Sequence, residues 1–386
     1  MAVRRSIIFE GWRNLPHSYC VVSTAQIARL LGRDDLALYF VDLPPTRPEW
    51  RAARGLFAPD VERAVDALAA PPDGLVADAV IRTAHPYRMD DAPNARRTIV
   101  QGTSEYGAVF DNFVSFRGQE CPLRVAHAAS SAIIVTCSKW SADGFLRSGA
   151  KADRLKIVHL GVDPAVFCPP SDSRREKARA GLGIVPDDFV FLSIGAMTPN
   201  KNVNGMLSAF GKTLLKNPRA RLILKGTDAL FDSGALVDKM LAKFDTPARA
   251  VVKRRLTYIG AALDPAGIVA LHHAADAYLA PYRAEGFCLP ALEAAACGLP
   301  VIVTRGGPTD EFTTSGFALQ VKSERRWHPT DGWLYLEPDG AALLMAMQRV
   351  MSDARLRARA RAEGPAHAGK FTWRQSAERL LEVALE

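Results

Sequence analysis

The sequence predicts an α/β protein built from two doubly wound parallel sheets. Three observations carry that prediction. At 386 residues the chain is too long for one ordinary core and suits two domains. Short β-branched runs alternate with helical patterns from one end to the other. A proline cluster at Pro164, Pro169 and Pro170 interrupts the alternation over residues 162–173, after which it restarts.

In the first series the strand runs lie at 6–9, 36–41, 79–82, 98–100, 132–136 and 156–159. They are nearly all apolar rather than alternating, the pattern of strands covered on both faces. Helical patterns at 19–31 and 60–69 lie between them. The second series reads strand 189–194, helix 203–215, strand 221–224, helix 234–244 and strand 256–259. It continues through helix 265–275, strand 277–280, helix 290–297 and strand 300–304. Two βα series predict Rossmann-like domains over 1–165 and 166–365, whose ligands bind outside the carboxyl ends of the strands.

Composition narrows the class. Hydrophobic content of 48% and charged content of 23% are those of a packed globular chain. No apolar run approaches the roughly 18 residues needed to span a bilayer. Glu10 cuts short the apolar stretch that follows Arg4 and Arg5, against a signal peptide, so a cytoplasmic chain is expected. The six cysteines are scattered with no CxxC pair, against a zinc or thioredoxin-like motif and in favour of reduced structural thiols. The net charge of +8 divides into +2 through Asp163 and +6 beyond. Basic clusters at 253–255 and 355–361 are interspersed with acids and accompany no nucleic-acid motif, so no nucleic-acid partner is expected. They read as a solvated face, with weak peripheral attraction to anionic lipid at the inner membrane face as the alternative.

The segment Glu285-Gly286-Phe287-Cys288-Leu289-Pro290-Ala291-Leu292-Glu293 carries the most chemistry. Pro290 suits a first helical turn and Gly298 the position past the end, so the helix is short. Its amino end, with free N–H groups and a positive dipole, can hold an anion, and Gly286 permits close backbone approach. Glu293 is the only polar side chain in that helix, which is expected to be buried nearly all round, so its carboxylate needs partners. It either steadies the first turn through the dipole and nearby backbone or binds ligand hydroxyls. Glu285, in the loop before the same helix, favours one polyhydroxylated ligand gripped twice. Lys201 follows a strand and Gly195 and precedes a helix, a position where a bound anion would sit. As a solvated first-turn lysine it would oppose the dipole. No Asp-x-Asp pair occurs, and no metal is expected.

With two glutamates separated by seven residues, this segment resembles the signature of the retaining glycosyltransferases of family four. The resemblance extends to residues 191–195 and 199–202, which match a strand, a Gly-rich turn and a phosphate-binding lysine. It also covers Gly161-Val162-Asp163 with Phe167 and Pro169, and Phe371-Thr372-Trp373 before a last helix. It is strong over the second half and weak in the first, mainly at Ser138, Gly149 and the linker. It implies the GT-B fold: two Rossmann-like domains facing across a cleft, with a C-terminal helix over 366–386 crossing back to the first.

The resemblance also implies roles. Glu293 holds the ribose hydroxyls of the nucleotide, and Glu285 contacts the donor sugar and supports positive charge at its anomeric carbon. Backbone amides of Phe287, Cys288 and Leu289 meet the sugar and phosphates, and Lys201 neutralises the diphosphate. The family's arginine after the glycine is missing at Ala196 and Met197; Lys225 either replaces it or is a plain surface lysine. Asp310, with Glu311, matches an acidic position near the donor or caps a helix. His85 is the match for a first-domain histidine near the donor sugar, and Glu105 and Tyr106 are acceptor-side candidates. The family's Gly-Gly turn after the first strand is reduced to Gly11.

The implied activity is metal-independent, retaining transfer of a hexose from a UDP- or GDP-sugar, with no cofactor beyond the nucleotide-sugar donor. A front-face displacement through an oxocarbenium-like state is expected. The acceptor, whether saccharide, lipid-linked, protein or small molecule, and the oligomeric state are left open by the sequence. The rival readings are another GT-B enzyme, such as a sugar-nucleotide epimerase, and a non-catalytic nucleotide-sugar-binding protein.

Overall fold

Six parallel strands form the first sheet: β1 (Arg5–Gly11), β2 (Leu36–Asp42), β3 (Ala79–Thr83), β4 (Thr98–Gln101), β5 (Ile133–Thr136) and β6 (Leu155–Ile157). Their order is β2-β1-β3-β4-β5-β6, so the winding reverses between β1 and β3. The computed structural model describes residues 4–330 and 332–386. Contacts divide these into a first unit (through Gly161, with Pro329–Trp333 and Trp373–Glu386) and a second (Val162–His328 and Leu334–Thr372).

The central apolar runs are buried on both faces, as their composition requires. The edge strands β2 and β6 are only partly buried, because each has a neighbour on one side alone. Ile7, Phe9, Ala79, Ile81, Ile99 and Val135 are buried together with Ile27 and Leu30 of helix α1 (Ser18–Leu30). The C-terminal helix Trp373–Leu385 closes this core with Leu380, Val383 and Ala384, and its Ser376 accepts a buried 3.1 Å hydrogen bond from Gln26. The helix begins at Trp373, after the isolated bridge between Val162 and Thr372.

The second sheet holds β7 (Phe189–Ile194), β8 (Ala220–Lys225), β9 (Leu256–Ile259), β10 (Ala277–Ala280), β11 (Val301–Thr304) and β12 (Ala318–Val321). All neighbours are parallel and the order is β9-β8-β7-β10-β11-β12, so the switch lies between β7 and β10. Helix α2 (Val203–Lys216) follows β7, α3 (Pro265–Ala274) leads into β10, and α4 (Leu289–Ala296) follows it.

Several elements were not read from the sequence. A helix, Asp172–Gly181, starts inside the proline-rich break, capped by Ser171. Two helices, Ser233–Leu241 and Thr246–Arg255, occupy the β8–β9 connection, where one was expected. Strands Ser323–Trp327 and Leu334–Pro338 form an antiparallel pair. The basic clusters are partly used internally: Arg255 pairs with Asp188 at 2.5 Å, Arg357 donates to Val350 O and Arg361 to Pro170 O. No described helix is long and apolar enough to cross a membrane.

Candidate active site

The chain leaves β7 through Gly195 at φ +146°, a conformation that L side chains rarely adopt. Its N–H donates to Lys225 O at 3.0 Å, which locks the exit against β8. A 3₁₀ turn, Pro199–Lys201, follows, and left-handed Asn202 (φ +54°) caps α2 by accepting from Gly205 N. Asn200 stitches this turn to the segment after β10. Its carbonyl accepts from Arg283 N at 2.6 Å, and its side chain donates to Ala284 O at 3.2 Å. The stitch sets Lys201 Nζ 2.5 Å from Glu285 Oε2, while Glu285 Oε1 accepts from Gly286 N at 3.0 Å. With side chains only 24% and 12% exposed, the pair is partly desolvated and attracts more strongly than a surface pair.

Cys288 opens α4 with φ +73°, an unusual left-handed cap for a side chain other than glycine. Burial, then the charge of Glu285, pushes its thiol pKa far up, so the sulfur stays protonated. Gly195, Ala196, Lys201, Tyr278, Glu285 and Cys288 line a small, partly open pocket together with Met197 and Tyr282. Four residues singled out in the sequence (Gly195, Lys201, Glu285 and Cys288) thus meet in one place. Gly286 and Phe287 lie in the same loop; Phe287 is buried against Phe312 at 5.1 Å, and Leu289 is half-buried in the first turn. Tyr278 and Tyr282 were missed. Tyr278 Oη lies 3.2 Å from both Ile194 N and O, tying β10 to the end of β7, and Tyr282 Oη lies 2.7 Å from Thr309 Oγ1. The available signal was two tyrosines, one inside the strand Ala277–Ala280 and one just past its carboxyl end.

Glu293 departs from expectation. Leu289, Pro290 and Glu293 form a half-buried stripe on an otherwise buried α4, so the helix is not sealed all round. Glu293 also lies outside the first turn, which holds no acid, so it does not steady the helix start. Its carboxylate stands 3.7 Å from His272 Nε2, beyond hydrogen-bond range.

Lys225 is not a surface lysine. It is buried at the end of β8, donates to the neighbouring Gly226 O, and has its pKa lowered by desolvation; it does not line the cavity. Asp310 accepts from Gly306 N at 2.8 Å and from Gln320 Nε2 at 3.1 Å, closing a local turn away from the cavity lining.

In the first unit His85 follows β3, and its ring packs 5.3 Å from Trp12, 5.6 Å from His17 and 5.8 Å from Trp50. Burial lowers the His17 pKa to about 3, aided by His85, and the His85 pKa to about 4, aided by Arg47. Both imidazoles are therefore neutral at pH 7. Tyr106 packs against Trp333 at 4.5 Å with the rings tilted by 44°, and Glu105 O accepts from Trp140 Nε1 at 2.9 Å. Phe113 and Phe110 link the His85 rings to Tyr106 at centroid steps of 5.5, 5.9 and 6.3 Å. Among the described residues no group of three His, Cys, Asp or Glu gathers to hold a metal ion.

Comparison with known proteins places these features in a family. The sequence model described as "Glycosyl transferases group 1" matches residues 174–367, half of the chain. D-inositol 3-phosphate glycosyltransferase of Segniliparus rotundus is 31% identical over 235 residues, 60% of this chain and 47% of that protein. Its counterpart in Rhodococcus opacus is 30% identical over 236 residues, 61% and 48% of the two chains. The chain thus spans about half the length of the curated relatives it matches. Among solved structures, Anabaena HepE in complex with UDP and glucose has a TM-score of 0.68 at 17% identity, covering 97% of this chain and 98% of that one. The lipopolysaccharide-biosynthesis glycosyltransferase WaaG has a TM-score of 0.63 at 14% identity over 98% and 99%. These likenesses show the fold, GT-B, with its two Rossmann-like domains. With half its length matched by the family's own sequence model, this chain belongs to the group 1 glycosyl transferases.

Proposed function

We propose that the chain moves a hexose from a UDP- or GDP-sugar to a saccharide, lipid-linked, protein or small-molecule acceptor, with retention of anomeric configuration and without a metal. The observation that carries this reading is the Lys201–Glu285 pair at the β7–β10 switch, beside Gly195 and a cavity. An incoming diphosphate shares the Lys201 ammonium, and Glu285, released from its partner, accepts from a donor-sugar hydroxyl. Glu293 receives the ribose hydroxyls. The lysine then offsets the charge that develops on the leaving diphosphate, and Glu285 supports the oxocarbenium-like sugar. Anabaena HepE, solved with UDP-glucose, and relatives named glycosyltransferases support this choice of donor class.

A thermal-shift screen of nucleotide sugars tests it first, since a ligand at 100 times its dissociation constant adds about 2.7 kcal/mol. Turnover of the proven donor, with the product anomer read by NMR, tests retention. Release of nucleoside diphosphate without an epimerised sugar nucleotide separates transfer from epimerisation. Glu285→Gln should slow turnover on the order of 10- to 100-fold, the equivalent of about 1.5–3 kcal/mol for a charge-assisted contact. Full turnover in that variant overturns the assignment.

A further inference from the structure

His272 lies near the end of α3, just before β10, and is fully buried. Neither ring nitrogen has a hydrogen-bond partner. Phe167 meets the ring edge-on at 5.7 Å, and Tyr278, a cavity residue, packs 6.0 Å from it. A buried imidazole with both nitrogens unsatisfied is uncommon, because burial removes the water that would otherwise serve them. The Glu293 side chain is 18% exposed, and among the described residues no hydrogen-bond donor reaches its carboxylate, which leaves its oxygens open to a new partner. The two face each other at 3.7 Å, a few tenths of an ångström outside hydrogen-bond range.

We infer that His272 is a positioning residue for Glu293, holding one carboxylate oxygen through Nε2–H so that the other meets the vicinal hydroxyls of a nucleotide ribose. The inference rests on the reading of Glu293 as the ribose-binding group. The aromatic contacts hold the imidazole in place, whereas a glutamate side chain adjusts readily about its terminal torsion. A carboxylate has about four lone-pair sites, so one bond to the imidazole leaves capacity for two hydroxyls. Orienting the carboxylate before binding removes an entropic cost from the ligand's side.

A double-mutant cycle on nucleotide binding, read by calorimetry with UDP and GDP and their 2′-deoxy forms, tests this. Glu293→Gln should weaken the ribonucleotide at least 10-fold and His272→Phe about 5-fold, with the double variant no weaker than Glu293→Gln alone. Preference for ribose over 2′-deoxyribose should fall in His272→Phe and return in His272→Gln, which keeps an N–H. Additive effects, or equal losses for ribose and deoxyribose, overturn the inference, since a purely structural role predicts both. Weakening by Glu293→Gln with none by His272→Phe also overturns it and leaves the ribose reading standing. If Glu293→Gln is silent, or the wild type binds neither nucleotide, that reading fails and the inference with it. Should His272→Phe not fold, the ¹⁵N signal of His272 Nε2 decides: it should move on nucleotide binding in the wild type but not in Glu293→Gln. A signal that stays put in the wild type overturns the inference.

Discussion

The two units carry the same topological feature and furnish it with opposite chemistry. Each sheet reverses its winding once, and each reversal gathers loops at the carboxyl ends of two strands. At the β7–β10 switch these loops bring an ion pair, a glycine at φ +146° and a left-handed cysteine around a cavity. At the β1–β3 switch these loops, joined by the one after β2, bring rings. Trp12 and Trp50 are 3% and 4% exposed and pack with His17 and His85 at centroid distances of 5.1 to 5.8 Å. A switch point is therefore only a location. What it does depends on whether its side chains satisfy one another by packing or keep charge beside empty space.

If that contrast is right, the first unit's cluster responds as a core. Trp12→Ala should cost about 3–5 kcal/mol of stability, read as a lower midpoint of urea unfolding. A loss below about 1 kcal/mol would mean that the rings are a ligand platform, and the contrast would vanish. In the second unit Lys201→Ala should act mainly on rate, lowering kcat on the order of 10²- to 10³-fold, or about 2.7–4 kcal/mol, as loss of a preorganised charge does. It also leaves Glu285 without its partner. The double variant Lys201→Ala/Glu285→Gln should therefore recover melting temperature but not turnover. Recovery of turnover would make the pair structural.

How much of this was legible follows from range. Strands buried on both faces announce themselves by composition, and α4 shows its ends through Pro290 and Gly298, which takes φ +77°. Lys201 and Glu285 could each be picked out, but their contact depends on Asn200 bonding residues more than eighty positions away. No local pattern encodes that. Trp12, His17, Trp50 and His85 come from loops after three different strands, without any shared period. Lys225 stood at the end of a strand, where sequence alone does not separate a buried lysine from an exposed one. The helix Asp172–Gly181 was hidden by Pro169 and Pro170 just before it, although Ser171 is a strong cap.

The neutral imidazoles give the first unit a pH signature. Their folded pKa values, about 3 for His17 and about 4 for His85, lie below the ordinary 6.5. The unfolded chain therefore takes up protons that the folded unit refuses. The associated stability is complete above pH 6.5 and declines as pH falls through the folded values. Each histidine contributes at most about 1.4 kcal/mol per pH unit, and less here because neither ring is fully sealed. The first unit's melting temperature should fall between pH 7 and 4.5, and His17→Asn, which keeps the cap on Tyr19 N, should flatten the slope. Equal slopes would show that His17 is not held neutral by burial.

The smallest effect tests backbone strain in the second unit. A left-handed residue with a Cβ costs about 1–2 kcal/mol, so Cys288→Gly should relieve strain at φ +73° while losing the packing of a buried thiol. The net gain should be about 1 kcal/mol or less, seen as a slightly higher melting temperature. Gly195→Ala should run the other way, because φ +146° is denied to alanine and the penalty is of order 1–3 kcal/mol. Opposite signs at two positions lining one cavity would mean that its backbone, as well as its charges, is held in an unusual state. A destabilised Cys288→Gly would instead show that the thiol's packing outweighs its dihedral, and the second unit's switch would then resemble the first's more than its charges suggest.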